Sequence, residues 1–518
     1  MRNLLRYEKY FFLLLVLLHL LPVLLLEFFV THDGPSHVYN TYIIKRLLLG
    51  DELTSRFFLL NPQPVPNWLG HALLIFFNFF FAGNISERIL IVLYITALPL
   101  SFRYLMLTLN KDAAWVSYLI FPFIYSLLFY LGFYNFCIGM PLLFYSLAFL
   151  LRSGTDFDLR TWLLLAFLGL LMYFSHIFIL LLFLPAAFAC VVSDVYFRAD
   201  EKRFSSLFRI FLGKAGRITL ALLPCLILSV YFVITHREED DIFRDMNFFQ
   251  HLEFLFVGRP LITLNYDEEK YYAAVFALIF WFIFLFTIYQ RFKKFKPAHS
   301  DWLLAVSFLI LAEYFLIPDA IASGSFVSHR LMLFFYFFSL LWVGTNEVPK
   351  TIKLFSAPVF VILSLFTLVY HYRESANLNE EAKEYVSTAN AIEEKSVVLP
   401  VNYSVNWLHH NLSNYIAAKK NIIILDNYEA AKPHFPTMWK TGMNPYIIMN
   451  FSSLSQSCMA INQYEKITGQ KIDFIIRWGF NQSFNDSCSN AVSNYLKENY
   501  SPVFTSVNGK AEVFKRSK

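Results

Sequence analysis

The stretch FFVTHDGPSHVYN, residues 28 to 40, places His32, Asp33 and His37 within six positions, directly after a run of leucine and phenylalanine. A carboxylate just beyond an apolar helix is partly removed from water, a setting that suits a general base acting on a hydroxyl or amine. Gly34 and Pro35 supply a tight turn. Asp33 fits equally well as the cap of a helix beginning near Ser36, with the two histidines as interfacial residues, and both readings stand at this point. Imidazoles and carboxylates also ligate divalent metals, which makes His32, His37 and Glu87 candidate ligands, although their spacing matches no common closed zinc site.

Other groups able to do chemistry stand at the mouths of apolar runs. In GNISERIL (83–90), Glu87 could bind a metal or a positive substrate group, and Arg88 could meet a phosphate or extend to the membrane surface. SHIF places His176 at a helix end; SHRLMLF opens a run with His329 and Arg330; VGRPL carries Arg259; YLGFYNF carries Tyr134 and Asn135. An arginine in such a position can pair with a lipid phosphate, donated or ordinary.

The elements that must hold these residues are set by composition. With 57% hydrophobic, 19% aromatic and only 16% charged residues among 518, most of the chain has lipid as its solvent. Twelve hydrophobic runs occur. Basic segments at 198–217 and 290–299, like the N-terminus with Arg2, Arg6 and Lys9, are expected on the cytoplasmic side, so an even number of crossings must precede 198–217 and one early run does not cross. The run 67–82, short and containing Gly70, His71 and Asn78, is the one to discount as interfacial. About eleven transmembrane helices then remain in 1–371, with a first external loop at 31–87 carrying juxtamembrane helices at 38–49 and 67–82. Residues 372–518 are polar and alternate helical and strand periods at SVVLPV, NIIILD, DFIIRWG and AEVFKR, which predicts a C-terminal external α/β domain. Cys458 and Cys488 could pair there if the compartment is oxidising. The fold class is therefore mainly α: a polytopic membrane protein, N-terminus cytoplasmic, with a small α/β domain. No basic run interleaved with aromatics marks nucleic acid as a partner.

With THDGPSH after the first helix, GNISERIL at the entry to the next crossing, a many-spanned core and a C-terminal α/β domain, the chain resembles the C-type glycosyltransferase (GT-C) superfamily. That group of polytopic enzymes uses polyprenyl-phosphate-linked sugars and includes protein O-mannosyltransferases and the aminoarabinose transferase of lipid A. The resemblance implies Asp33 as catalytic base and Glu87 in the metal or donor-phosphate region. Arg88, His176, Arg259, His329 and Arg330, with Tyr134 and Asn135, are the remaining candidates for substrate binding. Many members carry a second acid where this chain has Tyr134 and Asn135, a departure that bears on metal use and acceptor type. The implied partners are a polyprenyl-phosphate sugar donor, a glycan, lipid or protein acceptor, and the bilayer, with a divalent metal as the one candidate cofactor. A lipid or oligosaccharide transporter or flippase is the alternative, for which paired half-repeats and broken helices at the bilayer midplane would be expected.

Overall fold

The computed structural model describes residues 2–154, 158–198, 203–236, 246–294, 297–321, 324–449, 461–479 and 487–517. Two compact units are present. One comprises Met1–Leu20 and Leu93–His371, the other Leu21–Val92 and Tyr372–Lys518.

The helices, in chain order, are α1 (Arg2–Leu25), α2 (Gly34–Leu48), α3 (Glu52–Phe57), α4 (Trp68–Asn78), α5 (Gly83–Leu109), α6 (Leu127–Tyr130), α7 (Tyr134–Ser153), α8 (Leu159–Ser175), α9 (Ile177–Arg198) and α10 (Phe204–Thr235). They continue as α11 (Phe248–Val257), α12 (Tyr266–Lys294), α13 (Trp302–Leu316), α14 (Val327–Thr345), α15 (Lys350–Ser387), α16 (Pro445–Ile448), α17 (Ile461–Thr468) and α18 (Ser487–Asn499). Among the described residues, nine helices are long and apolar enough to cross a bilayer. The predicted polytopic α-helical class is borne out. One of the runs read as crossings takes another form: 113–131 is a 3-10 helix over Ala114–Phe123 followed by the single turn α6, while α8, at 17 residues, is at the short limit for a span. At 11 residues, α4 reaches only about 16 Å, roughly half the hydrocarbon thickness.

In the first unit, α14 is apolar all round and accordingly buried along its whole length, packed against α13. Close approach of α8 to α10 depends on Gly169, where a Cβ would lie 2.6 Å from Leu222. The segment 236–270, acidic in sequence, contains the apolar helix α11. Its start is fixed by a capping box between Asn247 and Gln250, and its end by Gly258 at φ 77°.

The second unit holds the strands β1 (Phe58–Leu60), β2 (Val397–Asn402), β3 (Ile423–Ile424), β4 (Thr437–Trp439), β5 (Phe474–Trp478), β6 (Tyr500–Thr505) and β7 (Ala511–Arg516). Five of them form one sheet in the order β3-β2-β5-β7-β6, with β2 parallel to both β3 and β5, and β7 antiparallel to β5 and β6. All four apolar runs noted in the sequence supply strands of this sheet. β1 pairs antiparallel with β4, Phe58 opposite Trp439, so a segment of the first loop and a segment of the C-terminal region share one ribbon. Cys458 lies outside the described residues, as does the side chain of Cys488.

Candidate functional site

The chain leaves α1, runs extended through Phe28–Thr31 and enters α2 with Gly34 and Pro35 in its first turn, a proline placement that presets the helical φ without losing a needed hydrogen bond. Asp33 occupies the cap position, yet its side chain makes no cap hydrogen bond. Oδ1 lies 2.7 Å from His32 Nδ1, and the Tyr428 hydroxyl donates to the same carboxylate. Burial, together with the charges of Asp33 and Glu429, holds the Tyr428 phenol far above its ordinary pKa, so it remains a donor.

His32 stacks on Trp407 with ring centres 5.7 Å apart and meets His410 edge-on. Asn411 Nδ2 fixes its backbone by donating to His32 O at 2.8 Å. Burial opposes charge on His32, but the carboxylates of Asp33 and Asp426 overcome it and raise the imidazole pKa. Asp426 itself is buried, accepts a 2.7 Å hydrogen bond from Tyr446 and is pushed up by burial to about 6. His32 and Asp33 keep 25% and 10% of their side-chain exposure.

One turn further along α2 the setting changes. His37 Nδ1 lies 2.8 Å from Glu429 Oε1, and His71 Nε2 lies 3.1 Å from Glu429 Oε2. Burial alone would raise the Glu429 pKa; the two imidazoles outweigh it and hold the carboxyl down at about 2. Asn40 Nδ2 donates to Glu429 Oε2 at 2.9 Å and is itself held by Asn427 and Thr437. The side chains of His71 and Glu429 retain at most 1% of their exposure. His37, His71 and Glu429 are the one group of three ligating side chains found among the described residues, their ligand atoms within 4.8 Å of one another.

Glu87, buried near the start of α5, accepts a 2.7 Å hydrogen bond from Tyr415. Arg88 Nη1 donates to Leu26 O at 2.9 Å. The glycine that opens GNISERIL is required by space, because a Cβ at Gly83 would stand 2.8 Å from both Tyr42 and Val38. Of the three expected metal ligands, His37 therefore belongs to a ligating cluster, whereas His32 is engaged with Asp33 and Glu87 with Tyr415.

The remaining candidates lie in the first unit. Arg330 is buried in the first turn of α14, its guanidinium 4.9 Å from the ring centre of Phe133 and 5.4 Å from that of Phe136, and its Nε has no hydrogen-bond partner among the described residues. His329 is close enough to Arg259, Asp319, Arg330 and His251 to feel the charge of each. Arg259 donates to Ile262 O at 2.6 Å and lies over Phe254, whose ring is also 6.1 Å from His329. His176 ends α8 with its ring edge-on to Phe136. Tyr134 and Asn135 begin α7 and are buried. Arg259, His329 and Arg330 thus share one neighbourhood, joined to His176 through Phe136: two guanidiniums and two imidazoles among aromatic rings.

Sequence reasoning passed over His71, Asp426, Tyr428 and Glu429. A signal existed for three of them. The segment DNYE follows the strand residues of NIIIL, and ligands collect outside the carboxyl ends of parallel strands. In the sequence His71 registers only as a polar interruption of the run 67–82.

The nine long apolar helices among the described residues and the five-stranded sheet define an integral, multi-pass membrane protein with a sheet-bearing domain built on its C-terminal region. No protein-family profile and no curated protein matches the sequence. The architecture is similar to that of ArnT from Cupriavidus metallidurans bound to undecaprenyl phosphate, with TM-score 0.55 and 10% identity over 98% of this chain and 97% of that one. It is also similar to ArnT from the same organism in the apo state, with TM-score 0.50 and 9% identity over 98% of each chain. At such identity the likeness establishes the fold, and at that level the resemblance drawn from THDGPSH and GNISERIL holds.

Proposed function

We propose that the protein is a membrane glycosyltransferase that moves a sugar from a polyprenyl-phosphate donor to an acceptor at the external face of the membrane. The observation that carries this reading is Asp33: a carboxylate at a helix cap position that does not cap, oriented by His32 and Tyr428 and still partly accessible. A carboxylate fixed by donors but left open is what a general base requires.

In this reading the acceptor hydroxyl or amine attacks the anomeric carbon, its proton passes to Asp33, and the bond from that carbon to the phosphate oxygen breaks. The leaving polyprenyl phosphate carries away the electron pair. Arg330 and Arg259, in the first unit, are the cations this reading assigns to a lipid phosphate, and the unmatched Nε of Arg330 is the donor offered. The likeness to a solved protein bound to undecaprenyl phosphate supports a polyprenyl-phosphate lipid as the partner. Glu87 and Arg88 serve as supports for the loop that carries Asp33, since each is engaged by Tyr415 or by the Leu26 carbonyl.

The test uses detergent-purified protein supplied with polyprenyl-phosphate sugars and a panel of acceptors. Wild type should release polyprenyl phosphate and form a glycosylated product; Asp33→Asn should retain donor binding and lose transfer; Arg330→Ala should lose donor binding. Full transfer by Asp33→Asn would remove the assignment. Lipid movement across reconstituted vesicles with no glycosyl product would establish the flippase instead.

A further inference from the structure

We infer that His37, His71 and Glu429 bind a zinc-type divalent cation that ties α2, α4 and the turn Glu429–Ala431 together. The inference is independent of glycosyl transfer.

The first support is a tautomer argument. His71 Nδ1 lies 3.0 Å from the carbonyl oxygen of Asn67, which can only accept, so Nδ1 carries a hydrogen. Nε2 of the same ring points at Glu429 Oε2 at 3.1 Å, another acceptor. In a neutral imidazole this sets one lone pair against another, and the contact becomes favourable only if a cation lies between them or a second proton is held there. A ring whose far nitrogen is tied to a backbone carbonyl is the usual arrangement of a metal-binding histidine, because the carbonyl fixes both tautomer and orientation. Asn67 is placed for this role by its left-handed backbone, φ 66°, a conformation asparagine tolerates well.

The second support is the carboxylate. Both oxygens of Glu429 face imidazole nitrogens, Oε1 at 2.8 Å from His37 Nδ1 and Oε2 at 3.1 Å from His71 Nε2, while Oε2 is also oriented by Asn40. A completely buried carboxylate is expensive unless positive charge meets it. Two imidazole nitrogens and a carboxylate able to use both oxygens make up a four-donor set. This set of borderline nitrogen and hard oxygen ligands suits zinc and would leave magnesium, which prefers an octahedron of oxygens, poorly served. The rings of His37 and His71 stand 5.0 Å apart at 84°, with Phe435 closing the outer side of both. An apolar cover over a sealed donor set marks a cation that holds structure. Its consequence reaches one residue further, because fixing Glu429 fixes Tyr428, which donates to Asp33.

The experiment measures metal content in the full-length protein, purified with an untagged or cleaved chain and dialysed against metal-free buffer. We expect close to one equivalent of zinc per chain by elemental analysis, and X-ray absorption at the zinc edge showing nitrogen and oxygen neighbours without sulfur. Glu429→Gln and His71→Ala should each lower bound zinc at least tenfold, whereas His409→Ala, which removes a histidine paired with Glu381 elsewhere in this unit, should leave it unchanged. Should the two cluster variants fail to fold, wild type decides: protein stripped by chelator should unfold at a lower temperature and recover on addition of zinc chloride but not magnesium chloride. Folded wild-type protein that contains no zinc and takes up none, or zinc retained in full by Glu429→Gln and His71→Ala, would overturn the inference. The first result would leave a doubly protonated His71 as the occupant of the contact.

Discussion

One helical turn separates Asp33 from His37, and three residues separate Asp426 from Glu429, yet the two neighbourhoods these pairs build treat the same side-chain types in opposite ways. Around Asp33, the imidazole of His32 is stacked on an indole and partly exposed, the neighbouring acid Asp426 is raised to about 6, and phenols donate to both carboxylates. Around His37 the side chains are buried, the acid is driven down to about 2, and its neighbours are two imidazoles and an amide donor. The first arrangement keeps protons near groups that could exchange them. The second excludes solvent and stabilises a fixed negative charge. Histidine beside carboxylate is therefore not a function in itself; accessibility and the number of neighbouring cations decide between a proton-transfer site and a ligand set.

This contrast can be broken at four points. The largest effect is expected from Asp33→Asn, which keeps the shape and removes the base. Transfer should fall by about 10²- to 10⁴-fold, measured as product formed per minute at saturating donor, with the unfolding temperature unchanged. Glu429→Ala should do the reverse, costing roughly 3 to 5 kcal/mol of stability by leaving the buried imidazoles without their counter-charge, as measured in denaturant unfolding of the detergent-solubilised protein.

The third break point is pH. Burial raises the Asp426 carboxyl above its unfolded value of 3.8, so the folded state binds this proton more tightly than the unfolded one does. Its contribution is fully present below pH 3.8 and is lost as the pH rises through about 6. The whole difference amounts to at most about 3 kcal/mol. Asp426→Asn should flatten the stability profile across that window; a profile that stays as steep would assign the slope to other groups. The smallest effect belongs to His32→Asn, which removes a part-exposed donor to Asp33. A loss of about 1 kcal/mol, or a few-fold in rate, is expected, with a changed pH–rate profile as the sign that the imidazole orients the base.

Much of the architecture was legible because it is written in local periods. Apolar runs of membrane length gave the class, and SVVLPV, NIIILD, DFIIRWG and AEVFKR gave strands of a single sheet. Asp33 was legible as well, since a carboxylate between histidines at the end of an apolar helix is conspicuous on its own. The buried cluster of His37, His71 and Glu429 was not. His32, His37 and Glu87 are the candidates that proximity in the first loop suggests, but Tyr415 takes Glu87 and Asp33 takes His32. The true companions of His37 are a histidine inside an apolar helix and a glutamate in a turn.

The sequence by itself determined that the chain is polytopic, that a sheet-bearing region follows the last long apolar helix, and that a carboxylate stands at the start of α2, because solvent preference and residue period act over a few neighbours. Only the tertiary structure decided that His71 meets Glu429 across 358 residues of chain, and that β1 pairs with β4. Such pairings follow from which surfaces bury one another, and that is a property of the packed whole which no short window of residues carries.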